Sequence, residues 1–327
     1  MIMVFIMKIR AALAATAAAT LILSACGSPA SEGDSPRVTA AFYPLEWASS
    51  AVLGDHGSIS TLTAPGSEAH DLELSPQQIA SLTEADLVVY LKDFQPAVDD
   101  AIEQAGIGDK AFDVSTVVEL EPAAEGHTHD HGDEGHEEEG HDHEEEGHDG
   151  HDHGDFDPHF WQDPQRMGKL VTALGDKLAA ADPDNESDYR AAAEQGVAEL
   201  TKLDEEFTTG LGQCERTEFI TTHTAFNYLA ERYGLTEIGI SGINPNDEPS
   251  PARIAAIHDE AKAHDVTTIF FETLTSDALA KSIAGDLDLK TAVLDPLEGV
   301  TPNSPGQDYP SIMRANLEAL RGANGCA

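Results

Sequence analysis

Residues 87–91, Leu-Val-Val-Tyr-Leu, form a continuous apolar run of strand length. A run of this kind is typical of a strand that is buried on both faces of a parallel sheet. Shorter strand-like segments precede it at 38–42 and 58–62, and a helix start, Ser75-Pro76, lies between them and the run. Because strands and helices alternate, the sequence predicts a parallel α/β lobe.

The second half of the chain repeats this alternation, with strands predicted at 218–222, 237–240, 266–271 and 291–294. A proline-free helical segment of about 40 Å, at 1.5 Å per residue, separates the two halves. The predicted fold class is therefore α/β, with two lobes that each contain a mostly parallel sheet and flanking helices, joined by a long rigid helix. The predicted organisation is a signal peptide (1–26), a tether (27–37), an N-terminal lobe (38–183) with a His/Asp/Glu-rich loop (123–156), a linking helix (184–212) and a C-terminal lobe (213–327).

The N-terminus carries a targeting signal. Lys8 and Arg10 precede an apolar segment, residues 11–23, that is too short to span a bilayer comfortably. The following Leu23-Ser24-Ala25-Cys26 resembles the lipobox of bacterial lipoproteins, which implies that Cys26 is lipidated and begins the mature protein. Translation starts at Met1 or at Met7. We therefore expect an extracytoplasmic protein, anchored by its lipid to the outer face of the cytoplasmic membrane or lying in the periplasm.

The charge of the chain excludes some partners. The formal net charge is −42, which argues against nucleic acid and against an anionic membrane surface. Part of this charge lies in one acidic, histidine-rich segment that has no apolar residue between Gly126 and Gly154. Its composition predicts a disordered surface loop that binds divalent ions weakly. Its nine histidines are His127, His129, His131, His136, His141, His143, His148, His151 and His153.

Four other polar residues occupy positions where a ligand site is expected. His70, His223 and Asp295 follow predicted strands, and His159 lies in Asp157-Pro158-His159. In parallel α/β folds the ligand crevice lies beyond the carboxyl ends of the strands. Each lobe would supply two of the four, so the site would lie between the lobes. Three imidazoles and one carboxylate form a set of donors that suits Zn²⁺, whereas a site richer in carboxylates would suit Mn²⁺.

Two carboxylates compete with Asp295 for the fourth position. Glu68 lies beside His70, and Glu272 ends the strand before the segment 273–277. Glu272 could instead orient a ligand through a hydrogen bond. The fourth ligand therefore remains open between Asp295, Glu68, Glu272 and a water molecule. His56, His258 and His264 lack a comparable placement, and we interpret them as surface or helix residues.

Four segments together resemble one family. PGSEAHDLELSP (65–76), DPHFWQDP (157–164), THTAFNYLAERYG (222–234) and LDPLEG (294–299) are similar to signature segments of ZnuA-type substrate-binding lipoproteins of zinc and manganese ABC importers. The resemblance covers nearly all of the mature chain. It implies two α/β lobes joined by a rigid helix, with the metal held by His70, His159, His223 and Asp295. The third position is Glu in manganese members, so His223 favours the zinc branch. It also implies a monomeric receptor that works with a membrane permease and its ATPase.

Two cysteines remain in the mature chain, Cys214 and Cys326. In an oxidising compartment such a pair most simply forms a disulfide, and the alternative is a cysteine metal ligand. The resemblance does not bear on this pair, because it is not general to the family.

The sequence thus predicts a non-enzymatic, high-affinity Zn²⁺ receptor that delivers zinc to an ABC permease. The alternatives are a manganese receptor of the same family, a metal buffer or adhesin that works without a permease, and a zinc hydrolase. A hydrolase needs an open coordination position and a general base, and the sequence contains no HExxH motif.

Overall fold

The computed structural model describes residues 35–123 and 156–327. Cys26, the tether and the nine histidines of the acidic segment lie outside these residues. The strands are β1 (Arg37–Ala40), β2 (Ser58–Thr61), β3 (Leu87–Tyr90), β4 (Ala111–Asp113), β5 (Glu218–Thr221), β6 (Thr236–Gly239), β7 (Thr268–Phe271) and β8 (Lys290–Val293). The α-helices are α1 (Tyr43–Leu53), α2 (Pro76–Glu84), α3 (Pro96–Ala105), α4 (Pro164–Ala181), α5 (Glu186–Leu211), α6 (Asn227–Tyr233), α7 (Pro251–Ala263), α8 (Ala278–Leu287) and α9 (Tyr309–Asn324).

The strands form two four-stranded parallel sheets. The N-terminal sheet has the order β2-β1-β3-β4, and the C-terminal sheet has the order β6-β5-β7-β8. The apolar run at 87–91 forms β3, whose two central residues, Val88 and Val89, are fully buried. The predicted α/β fold with two parallel sheets and flanking helices is confirmed. We refer below to the two parts, each built on one sheet, as the N-terminal and C-terminal halves.

Local sequence explains several helix starts. Ser75 caps α2 in a reciprocal capping box with Gln78, and Pro76 occupies the first turn, where a missing backbone N–H costs nothing. Asp163, the last acidic residue of DPHFWQDP, caps α4 by accepting a hydrogen bond from Gln165 N. The histidine-containing motif therefore runs directly into the first of two long helices.

The two long helices pack closely side by side. α4 buries Met167, Leu170 and Leu174, while α5 buries Leu200, Leu203 and Phe207. At Gly175 a Cβ atom would lie 2.7 Å from the Cβ of Ala193, so the helices approach more closely here than any larger residue would allow. The long helix exists at Glu186–Leu211, close to the expected range, and the lobe boundaries around it stay a prediction.

The buried apolar residues form two clusters of unequal size. The larger one joins the N-terminal sheet to α4, α5, α6 and α9. The smaller one lies wholly in the C-terminal half and includes Ile220, Ile240, Ile257, Ile269 and Ile283. The C-terminal half therefore has a small core of its own in addition to the shared one.

The C-terminus is tied back to the start of the C-terminal sheet. Cys214 and Cys326 form a disulfide, so the predicted pairing is present in the structure. Ala327 N also donates to Gln213 O at 2.9 Å, and Glu215 N donates to Asn324 O at 3.1 Å. Among the described residues, no helix is both long and apolar enough to cross a membrane.

Candidate metal centre

Three imidazoles and one carboxylate meet in the interior of the protein. The Nε2 atoms of His70, His159 and His223 lie 3.3, 3.1 and 3.2 Å from a single oxygen, Oε1 of Glu298. One potential ligand atom from each of the four residues lies within 4.8 Å of every other. No more than 2% of any of these residues is exposed. Three nitrogens and an oxygen are therefore arranged to surround one small cation.

His70 is held on a loop of the N-terminal half by an uncharged side chain. Gln95, which is 1% exposed, donates from Nε2 to Ala69 O at 2.8 Å and to Thr63 Oγ1 at 3.1 Å. The ring of Phe94 meets the His70 ring edge-on, with centroids 4.8 Å apart. These contacts fix the backbone before His70 and one face of its ring.

His159 is oriented by the aspartate two residues before it. Asp157 Oδ1 accepts from the His159 backbone N at 3.0 Å and lies 2.7 Å from Nδ1. Burial works against a charge on Asp157, but the adjacent His159 outweighs it and holds the pKa of Asp157 below its usual value. Burial also opposes a charge on His159, yet Asp157 and Glu298 raise the pKa of His159 to about 9. With Nδ1–H donated to Asp157, Nε2 is left facing Glu298 Oε1.

His223 follows β5 directly and has a similar arrangement. Its Nδ1 lies 2.8 Å from Glu272 Oε1, which also accepts from Thr222 Oγ1 at 2.9 Å. Glu272 therefore lies behind an imidazole, in the orienting position that the sequence allowed for it. Burial opposes a charge on His223, but Glu272 and Glu298 raise the pKa of His223 well above its usual value.

The turn after His223 is held by a half-buried carboxylate. Glu237 accepts from Thr221 Oγ1 at 2.7 Å, from Ala225 N at 3.2 Å and from Phe226 N at 2.9 Å. Burial raises the pKa of Glu237 to about 7, in spite of these donors. Sequence reasoning missed this residue, because a glutamate inside a short strand carries no signal of its partners.

The structure does not bring Asp295 into the group of four, and the fourth position is occupied by Glu298. Asp295 is buried, but its Oδ1 accepts from Leu297 N at 2.9 Å and its Oδ2 from Thr273 Oγ1 at 3.1 Å. The chain turns after β8, so the side chain three residues further along reaches the histidines. The signal available in the sequence was the second acidic residue of the LDPLEG segment, Glu298.

Glu68 lies at the edge of the group. Its Oε1 accepts from Ala69 N at 2.7 Å and from His70 N at 3.3 Å, and one of its oxygens lies within 4.8 Å of oxygens of Glu272 and Glu298. Burial, followed by the charge of Glu298, raises the pKa of Glu68 to about 9. Glu298 behaves in the opposite way: burial opposes its charge, but His70 and His223 hold its pKa well below the usual value. The two neighbouring carboxylates are therefore shifted in opposite directions, Glu298 toward the charged form and Glu68 toward the protonated form.

The C-terminal half also contacts the DPH segment directly. Tyr228 OH donates to Asp157 O at 2.7 Å and accepts from Glu121 N at 2.8 Å. Asn227 Nδ2 donates to Asp157 Oδ2 at 3.2 Å. The residue that orients His159 is thus held by both halves.

The remaining described histidines lie elsewhere. The side chain of His56 is 33% exposed and pairs with Asp188 at 3.1 Å, and that of His264 is 41% exposed and pairs with Glu218 at 3.3 Å. His258 is outside the group of four as well. This agrees with the interpretation of these residues as surface or helix positions.

Comparison with known proteins identifies the family of this chain. The family model for ZnuA, described as zinc-uptake complex component A, periplasmic, matches residues 38–323. The chain belongs to this family. The high-affinity zinc uptake system protein ZnuA of Bacillus subtilis is 36% identical over 315 residues, which cover 93% of this chain and 94% of that protein. The zinc-binding lipoprotein AdcA of Streptococcus pneumoniae is 35% identical over 309 residues, or 92% of this chain, and the chain spans 58% of its length.

Solved structures of similar proteins share the fold. The Zn(II)-bound ZnuA-like domain of Streptococcus pneumoniae AdcA matches with a TM-score of 0.71 at 31% identity, covering 89% of this chain and 99% of that domain. The laminin-binding protein Lmb of Streptococcus agalactiae, described as having adhesin and metal-transporting activity, matches with a TM-score of 0.73 at 28% identity. That match covers 88% of this chain and 99% of Lmb.

Proposed function

We propose that the protein is an extracytoplasmic receptor that captures Zn²⁺ and delivers it to an ABC permease for uptake. The ligands are His70, His159, His223 and Glu298, with Glu298 in place of the expected Asp295. The observation that carries this proposal is the convergence of three buried Nε2 atoms on one carboxylate oxygen. Membership of a family described as a zinc-uptake component supports the choice of cargo.

The chemistry of the donor set favours zinc. Neutral imidazole nitrogens bind Zn²⁺ well, whereas Mn²⁺ prefers carboxylate and other oxygen donors. The carboxylates of Asp157 and Glu272 accept the Nδ1 protons of two ligands, which fixes the tautomer and increases the basicity of Nε2. Glu298 supplies one negative charge to the cation. Manganese is therefore the weaker candidate.

A receptor, rather than an enzyme, is the role that this set of ligands supports. Four protein donors complete a tetrahedral zinc site, and a hydrolytic site needs a position for water. The burial of all four residues also keeps substrates other than a small ion away from the centre. Release to a permease would then require the two halves, or a ligand-bearing loop, to move.

The location and partners follow from the N-terminus and the family. A lipid on Cys26 would hold a monomeric receptor at the outer face of the cytoplasmic membrane, beside a permease and its ATPase. The nine-histidine segment would act as a weak accessory store of zinc, because its imidazoles and carboxylates are suitable ligands for divalent ions. The name of the pneumococcal relative, a zinc-binding lipoprotein, supports this location.

A second function is favoured by one comparison. The structurally similar Lmb is described as both an adhesin and a metal transporter. A surface adhesin or metal buffer would use the same fold without a permease. Deleting the gene for this protein and measuring zinc uptake separates these roles, since uptake should fall only if the protein serves transport.

The ligand set is tested by zinc affinity in a variant that lacks residues 127–153. This variant should retain one tight Zn²⁺ site and bind Mn²⁺ more weakly. His159→Ala or Glu298→Gln in that background should weaken Zn²⁺ binding by about a hundredfold or more, because each removes a ligand and not merely its support. Titration against a competing chelator measures the change, and His264→Ala is the matched control. Loss of tight binding in the deletion variant itself would contradict the proposal.

A further inference from the structure

The segment that carries Glu298 has an unusual backbone. Residues 294–299 are all buried, and Leu297 has a φ of 65°. Among the described residues, the other non-glycine residues with positive φ are Asp93, Asp265 and Asp288, and aspartate tolerates this region better than most residues do. A leucine side chain makes no hydrogen bond that would stabilise positive φ, so the surrounding structure must hold Leu297 in this conformation.

Asp295 holds the turn from within. Its Oδ1 accepts from Leu297 N at 2.9 Å, which closes a short ring around Pro296, and Thr273 Oγ1 donates to its Oδ2 at 3.1 Å. Pro296 has a fixed φ and restricts Asp295, the residue before it, to extended conformations. Few other conformations of this turn therefore give the Leu297 N–H an acceptor. The strained residue is thus bonded to the carboxylate that the sequence had suggested as a ligand.

Asn316 of α9 holds Asp295 in turn. It is fully buried, accepts from Asp295 N at 2.9 Å and donates from Nδ2 to Asp295 O at 2.7 Å. Both backbone polar groups of Asp295 are thereby satisfied by one side chain. The start of the turn is anchored to a helix that packs in the shared core.

The N-terminal half holds the middle of the turn. Trp161 Nε1 and Gln162 Nε2 both donate to the carbonyl oxygen of Pro296, each at 2.7 Å. These donors belong to the same DPHFWQDP segment as His159. The carboxylate of Glu298, two residues after Pro296, is therefore placed relative to His159 through this carbonyl.

We propose that Asp295 is a positioning residue for zinc binding, which acts by keeping the Leu297 turn closed so that Glu298 reaches the three histidines. When the bond from Leu297 N to Asp295 is lost, Leu297 relaxes to negative φ and withdraws the Glu298 carboxylate. The ion is then left with three imidazoles. This inference rests on the proposed function, since it takes Glu298 as a zinc ligand.

The test compares substitutions of Asp295 with Glu298→Gln in the whole chain, using a chelator that competes for the tight Zn²⁺ site. Asp295→Ala removes the acceptor and should weaken zinc binding about 10- to 100-fold. Asp295→Asn keeps an oxygen that accepts from Leu297 N, and should stay within about threefold of the wild type. A ligand or charge role for Asp295 would make both variants equally weak, and that result would overturn the proposal.

A double variant tests whether Asp295 acts through Glu298. If it does, Asp295→Ala combined with Glu298→Gln should bind zinc about as well as Glu298→Gln alone, because the second change removes a carboxylate that is already displaced. Full multiplication of the two effects would overturn the inference. If Glu298→Gln alone leaves zinc affinity unchanged, the proposed ligand set is wrong. If Glu298→Gln weakens zinc binding but Asp295→Ala does not, only the proposed role of Asp295 is refuted.

Asn316 provides a second route to the same result if Asp295→Ala does not fold. Asn316→Ala should weaken zinc binding in the same direction as Asp295→Ala. The matched control is Asn324→Ala, on the same helix, because Asn324 is also buried and donates to a backbone carbonyl, Arg216 O at 3.1 Å. Asn324→Ala should lower thermal stability and leave zinc affinity unchanged. Equal losses of affinity in the two asparagine variants would overturn the proposal.

Discussion

The two halves repeat one strand order but use different side chains to hold the loops that carry His70 and His223. In the N-terminal half the loop before His70 is held by the uncharged amide of Gln95. In the C-terminal half the turn after His223 is held by the carboxylate of Glu237, whose pKa burial raises to about 7. Gln95 has no titratable group, so its hold on the loop before His70 does not change with pH, whereas the hold of Glu237 on the turn after His223 does.

The halves also differ in how their cores are built. The N-terminal sheet shares its core with the long helices, whereas β5, β7, α7 and α8 enclose a separate small cluster. Ile220 of β5, three residues before His223, belongs to that small cluster. Phe219 of the same strand and Leu297, next to Glu298, belong to the shared core, so the site residues of the C-terminal half lie where the two cores meet.

The largest expected effect is a loss of stability that spreads differently from the two cores. Leu45→Ala in the shared core and Ile269→Ala in the small core each remove a fully buried aliphatic side chain, and each should cost about 2–5 kcal/mol. Hydrogen exchange should show that Leu45→Ala lowers amide protection throughout the chain, while Ile269→Ala lowers it mainly in β5 to β8. If Ile269→Ala lowers protection equally in β1 and β3, the cores do not act separately.

A smaller effect, on zinc affinity, is expected from the carboxylates that orient His159 and His223. Asp157→Ala and Glu272→Ala should each weaken zinc binding about 10- to 100-fold, since each leaves an Nδ1–H without its acceptor. Asp157→Ala should cost more, because Asp157 also accepts from His159 N and from Asn227 of the other half. Chelator competition measures both, and Asp86→Ala, which removes an exposed partner of Arg37, is the control. A larger loss for Glu272→Ala would show that the local bonds of Asp157 add little.

Most of the fold could be predicted from the sequence because its signals are local. A buried apolar run such as 87–91, the Ser75-Pro76 helix start and the uninterrupted 185–211 segment each identify an element without knowledge of its neighbours. The positions of His70 and His223 after strands follow from the same signals. His159 does not follow a strand in the structure, and only the DPHFWQDP motif pointed to it.

The place of Glu298 in the group of four could not be predicted in this way, because it depends on the path of a turn. From the sequence, Asp295 was favoured because it follows a predicted strand. Contacts with Asn316 and Thr273, which are distant in sequence, fix the turn at Leu297 and bring Glu298 to the histidines instead. The division of the apolar residues into two cores is also a tertiary property, since the strand patterns of the two halves look alike in sequence.

The smallest expected effect tests the difference between Gln95 and Glu237. Between about pH 4.5 and 7 the folded protein keeps a proton on Glu237 that the unfolded chain has released, so this residue lowers stability as pH rises through that range. Since Glu237 is only half-buried, the contribution should be on the order of 1 kcal/mol. Urea unfolding of the zinc-free protein gives the free energy of unfolding at pH 5 and at pH 8. This free energy should fall less between the two pH values in Glu237→Gln than in the wild type. Gln95→Ala should lower it by the same amount at both pH values. The three clustered histidines titrate in all three proteins. A pH dependence in Glu237→Gln equal to that of the wild type would refute the pH-dependent role of Glu237.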